Sequence, residues 1–192
     1  MLFILFTLCF ILQRVNGAEL TIEELQANCP DDKELCMNKA RQGLCFGSTL
    51  QAKILRKNCA CSCDYAHFQR IQNCCHTIGD HDMKFCLPIC RYNTTTEELT
   101  ATLGLKCVSQ LTTWTYCAAD GSDNSECCRT KGIPNECLSF CQGNVPACDT
   151  KTLFGYETCL KHIGSILQCQ QEGLSMMPKF DPDYTADCEW DG

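Results

Sequence analysis

Residues Tyr116–Cys141 read YCAADGSDNSECCRTKGIPNECLSFC and hold five cysteines. Cys117 closes one set of six, with Cys74, Cys75, Cys86, Cys90 and Cys107 before it. Cys127, Cys128, Cys137 and Cys141 open a second set, completed by Cys159 and Cys169. Equivalent members lie 53, 53, 51, 51, 52 and 52 residues apart. Each set runs Cys-Cys, a gap of 8 or 10, Cys-x-x-x-Cys, a gap of 16 or 17, Cys, nine residues, Cys. Six positions held to within two residues mark a duplicated supersecondary unit, with repeats at about 74–117 and 127–169.

The spacing inside each repeat predicts helices joined by disulfides. Cys86 and Cys90, like Cys137 and Cys141, stand four apart on one helix face, so each is expected to bridge to another element. Adjacent Cys74 and Cys75 have Cα atoms about 3.8 Å apart, below the roughly 4.4–6.8 Å that a disulfide spans. Each Cys-Cys pair should therefore reach two partners and tie three segments together. Val108, Leu111 and Trp114, then Leu160, Ile163, Ile166 and Leu167, fall at helical spacing and read as core stripes. Thr96 with Glu97 and Glu98 reads as a helix start, while Gly132-Ile133-Pro134 and Gly143-Asn144 punctuate loops.

Moving outward, Cys29, Cys36, Cys45, Cys59, Cys61 and Cys63 staple a small unit over 29–65, too short for an apolar core to hold alone. Gln51–Asn58 predicts a short helix with Lys53, Arg56 and Lys57 on one face, a candidate interaction surface or simply a solvated one. Leu2–Leu12 is an apolar run of 11 residues. A bilayer needs about 20, so the run reads as the core of a signal peptide over 1–17. Its removal takes Cys9 and leaves 20 of the 21 cysteines, an even number suited to full pairing. Residues 18–28 read as a linker and 171–192 as an acidic tail. Cys148 and Cys188 fall outside the three sets and are expected to pair, pinning that tail.

The 21 cysteines in 192 residues mark an oxidised, disulfide-rich and mostly α chain of an extracellular compartment. The net charge of −7 excludes a nucleic-acid partner, and no later segment is apolar enough to anchor the chain in a membrane.

Cys29-Pro30-Asp31, Gly43-Leu44-Cys45 and the cysteine-rich end Asn58–Cys63 resemble the ShKT domain, the two-short-helix fold of sea-anemone potassium-channel toxins and many nematode secreted proteins. The chain departs from that pattern in Cys59-Ala60-Cys61-Ser62-Cys63, with Ala66 where the family places its last cysteine, and in Lys39 where a Trp is common. Channel-blocking members present a Lys-Tyr pair; here Lys53 precedes Ile54. Ala119-Asp120-Gly121, Asp123, Cys127-Cys128 and Gly132-Ile133-Pro134 closely resemble the nematode DB module, a twelve-cysteine extracellular domain, over about 68–170. That likeness implies architecture and compartment and leaves the activity open.

Catalytic groups are hard to find. Cys74-Cys75 followed by His81-Asp82 invites comparison with secreted phospholipases, but the spacing is five residues instead of two and no calcium loop precedes it. Asp120, Asp123, Asn124 and Glu126 lack EF-hand spacing, so turn or capping roles are expected for Asp120 and Asp123. His67, His76, His81 and His162 show no zinc-ligand spacing, and no cofactor is expected. Asn93-Thr94-Thr95 is the single N-glycosylation sequon. The expectation is a secreted, non-catalytic protein that binds an extracellular protein or receptor. The alternatives are a channel or receptor modulator acting through Lys53, Arg56 and Lys57, and a phospholipase-like hydrolase.

Overall fold

Thr21-Ile22-Glu23-Glu24 forms a capping box, and it starts a helix where a linker over 18–28 was expected. In a computed structural model that describes residues 20–79, 81–102, 107, 109–146 and 155–186, helix α1 spans Ile22–Asn28. The Glu24 N–H donates to the Thr21 hydroxyl at 3.1 Å, and the Thr21 N–H donates to the Glu24 carboxylate at 2.9 Å. Leu25 gives the helix its purpose, since it is wholly buried in the N-terminal core.

Helices α2 (Glu34–Arg41) and α3 (Leu50–Asn58) follow, and α4 (Ala60–Ile78) runs for 19 residues. Three bridges, Cys29–Cys61, Cys36–Cys59 and Cys45–Cys63, tie these elements to the first turn of α4. Asp32 caps that turn, accepting from the Ser62 N–H at 2.8 Å and the Ser62 hydroxyl at 2.5 Å, where a negative charge suits the helix dipole. Around the bridges pack Leu25, Met37, Ala40, Phe46 and Ala66.

The buried residues of α4 come in pairs every four positions: Ser62 and Cys63, Ala66 and His67, Arg70 and Ile71, Cys74 and Cys75. This stripe carries the helix from the first core into the second without a break, across the boundary expected at 65–68. The two units share an element.

The second unit continues with a one-turn helix α5 (Met83–Cys86) running into a 3₁₀ turn (Leu87–Ile89), then α6 (Thr96–Thr102) and α7 (Leu111–Ala119). Its second repeat has α8 (Ser125–Thr130), a 3₁₀ turn (Asn135–Cys137), α9 (Leu138–Gln142), α10 (Glu157–Leu160) and α11 (Ile163–Gly173). Among the described residues there is no strand.

The first repeat pairs Cys74–Cys117, Cys75–Cys90 and Cys86–Cys107, and the second pairs Cys127–Cys169, Cys128–Cys141 and Cys137–Cys159. In both, the first cysteine meets the sixth, the second the fourth, and the third the fifth. Adjacent cysteines do reach different partners. Pro88, two residues after Cys86, has no N–H to donate, so the stretch holding Cys86 and Cys90 is an α-turn passing into 3₁₀ instead of one straight helix. The residue before each fourth cysteine is treated alike: the Trp114 indole N–H donates to the Ile89 carbonyl, and the Gln170 amide to the Phe140 carbonyl, both at 2.7 Å. Leu111, Trp114, Ile163, Ile166 and Leu167 are buried as the stripes predicted, with Leu160 packed partly against them. The signal segment, Val108, Cys148 and Cys188 lie outside the described residues.

Within the acidic tail expected over 171–192, residues 171–173 end α11 and residues 174–186 form a strap. Leu174 returns to the N-terminal core and is 1% exposed. Farther on, Tyr184 stacks on Tyr116 with centroids 3.7 Å apart, and the Asp181 N–H donates to the Tyr116 hydroxyl at 2.8 Å. Apolar residues spaced through an acidic segment hold it down. Among the described residues no helix is long and apolar enough to cross a membrane.

Candidate functional site

Arg70 lies four residues after Ala66 and four before Cys74, so the α4 stripe carries a guanidinium inward. Its Nη1 donates to Asp120 Oδ2 at 3.0 Å and to the Ser175 carbonyl at 3.3 Å, and its Nη2 donates to the Met176 carbonyl at 2.9 Å. The guanidinium also lies 4.4 Å from the Phe46 ring centroid. One side chain thus joins the N-terminal unit, the second unit and the strap. Asp120 receives it at the C-terminus of α7, in the left-handed region with φ +52°. Gly121 follows at φ +64°, and a Cβ there would come within 2.9 Å of the Lys179 carbonyl oxygen. Asp120 accepts the Lys179 N–H as well, at 3.3 Å. Burial raises its carboxyl above the usual range, with Arg70 opposing.

His67 sits one turn earlier on the same stripe. Its Nδ1 meets the Gln171 amide at 3.0 Å, and its ring meets Phe46 edge-on at 5.1 Å. Burial, then the Arg56 charge, lowers its pKa to about 4, the Cys45 backbone resisting and Arg70 adding to the drop. Tyr92 closes the layer: its hydroxyl donates to the Ala118 carbonyl at 3.0 Å, and burial pushes that hydroxyl far up.

Over this buried layer opens a groove of about 520 Å³, lined by Asp64, Tyr65 and Phe68 of α4, by Arg91 and Asn93, and by the Cys29–Cys61 bridge. Tyr65 and Phe68 face it because they lie off the buried stripe, three residues apart. Arg91 pairs with Glu98, while Asp64 is raised by partial burial. Two aromatic faces with a polar rim suit recognition.

Of the residues expected to form a basic face, Arg56 turns inward. Its Nη1 donates to the Cys45 carbonyl at 2.6 Å and the Gly47 carbonyl at 2.8 Å, because the turn through Gly47 (φ +88°) leaves those oxygens without helical partners. Lys53 and Lys57 stay exposed. Asp123 takes the turn role of the expected turn-or-cap pair, accepting the Ser125 N–H at 2.8 Å just ahead of α8, whereas Asp120 holds a buried ion pair instead of a simple cap. The His81 side chain is 82% exposed, with Nε2 2.7 Å from Lys84 Nζ, and is not among the residues that line the groove. Asn93 is exposed on the groove wall, and Thr95 caps α6 in a box with Glu98 (3.2 and 3.0 Å). Arg70 escaped the sequence reading, and His67 entered it only as a candidate metal ligand. Their signal is positional: each is polar at a position four residues from a buried neighbour on both sides.

The DB module family matches residues 74–170. Two Caenorhabditis elegans proteins, Ig-like and fibronectin type-III domain-containing proteins 1 and 2, are each 28% identical to it over 87 residues. The match covers 45% of this chain and only 8% and 5% of theirs, so the chain spans a small fraction of these curated relatives. No solved structure matches.

Proposed function

The chain belongs to the DB module family, and from that premise we propose that it is a secreted, non-catalytic protein that binds another protein outside the cell. The observation that carries this reading is the bridge pattern: among the described residues, three sets of three disulfides, each closed within its own segment, joined through Arg70 into a fixed surface drawn from both units. Such a surface keeps its shape in an oxidising medium without a large apolar core. The N-terminal unit, whose cysteines resemble the ShKT domain, stands before the DB module as a second extracellular element. The two relatives carry Ig-like and fibronectin type-III domains by name, a setting that suits adhesion or receptor contact. With Arg56 turned inward, only Lys53 and Lys57 remain for a channel-modulating face.

Affinity capture from extracellular material tests the reading. The oxidised chain is expected to retain a partner that the reduced, alkylated chain loses. Identical captures by both forms, or turnover of a hydrolase substrate by the purified oxidised protein with calcium present, would overturn it.

A further inference from the structure

We propose that Asn93 carries an N-linked glycan whose first sugars lie in the groove at the junction of the two units. The inference rests on the extracellular reading, because only a chain in the secretory route meets the transferase. Transfer forms a bond from Asn93 Nδ2 to the sugar C1 and breaks the C1–O bond of a lipid-diphosphate-linked oligosaccharide, the amide proton leaving with the lipid diphosphate.

The turn that presents Asn93 is anchored. Thr94 is buried, and its hydroxyl donates toward the Ile89 and Arg91 carbonyls at 2.9 and 3.1 Å. Asn93 is left exposed on the groove wall. The groove, at about 520 Å³, falls within the range of roughly 300–1,000 Å³ typical of small-ligand clefts. Its chemistry fits an N-acetylhexosamine. The partly exposed rings of Tyr65 and Phe68 line the groove and can take the C–H side of a pyranose. Around them are hydrogen-bonding groups for hydroxyls and the N-acetyl amide. The Asp64 carboxyl is one. The Tyr65 hydroxyl accepts from Gln69 at 2.9 Å and keeps its proton to donate. The Asn28 amide nitrogen donates to the Glu24 carbonyl at 2.8 Å, leaving its own oxygen to accept. Tethering makes the contact intramolecular, at an effective concentration on the order of millimolar, so weak individual contacts suffice.

The test uses the full chain secreted from mammalian cells, with intact mass before and after peptide N-glycosidase. One glycan is expected at Asn93. If the docked state is nine-tenths populated, native protein should release it about tenfold more slowly than unfolded protein. Tyr65→Ala with Phe68→Ala should restore fast release. As a second measurement, Asn93→Gln should raise hydrogen exchange over 60–68 while leaving 125–142 unchanged. A chain that reaches the medium with Asn93 bare overturns this inference alone. So does a glycan released at one rate from native protein, the variant and unfolded protein. A chain retained inside the cell and unmodified overturns the extracellular reading together with it.

Discussion

Arg70 and Asp120 lie 50 residues apart in sequence and 3.0 Å apart in space, and both are almost fully buried. A pair so placed is costly to break from one side, because the survivor keeps its charge without its partner. Arg70→Ala is therefore expected to lower unfolding free energy by about 3–5 kcal/mol in guanidinium titrations of the oxidised protein. A loss within experimental error would show that the strap is held by other contacts. His67 gives a second expectation, in pH. Its folded pKa of about 4 lies below the ordinary 6.5, so the unfolded chain takes up the proton first as pH falls. The contribution is full above pH 6.5 and is lost as pH drops toward 4, on the order of 3 kcal/mol in all. The raised carboxyl of Asp120 acts in the opposite sense, adding stability as pH falls through its folded pKa toward 3.8. Stability measured at pH 7.5 and pH 4.5 should differ less in His67→Gln than in the unaltered chain.

Among the elements, the repeats share one bridge order with nearly equal loops. Cys86–Cys107 and Cys137–Cys159 close separations of 21 and 22 residues. Replacing both cysteines of either bridge by alanine is expected to cost about 2–4 kcal/mol, and a similar amount in each repeat. Denaturant midpoints would reveal an unequal division. The duplication was legible because cysteine spacing survives where other residues diverge, and the reach of adjacent cysteines followed from the width of one peptide unit. Helix α1 and the strap were not legible in the same way. Leu25 and Leu174 stand in stretches too short to show an apolar period, and their burial depends on a core assembled from distant segments. Thr21 did carry a signal, its capping box with Glu24. Thr21→Ala should remove about 1 kcal/mol, read from the same titrations. Arg70 stayed hidden because a charge on a helix reads as solvated until its partner, 50 residues away, is placed.

At the scale of the whole molecule, shared α4 and the returning strap couple the two cores. A chain ending at Gly173 loses Leu174 from the N-terminal core and the Ser175 and Met176 carbonyls from Arg70. Calorimetry should then show the single transition of the full chain split in two, with the N-terminal unit melting first. One unchanged transition would mean that α4 alone transmits cooperativity. The bridge order also has a mechanical meaning. Cys74–Cys117 and Cys127–Cys169 connect the first and last cysteine of each repeat, and Cys29–Cys61 nearly does so in the N-terminal unit. Tension applied between Cys29 and Cys169 would bypass these loops and lengthen mainly 64–73 and 118–126. Even with its helices pulled straight, that span reaches roughly 100 Å, where the unbridged chain would reach roughly 500 Å. Held between two anchors, this protein is a nearly inextensible link.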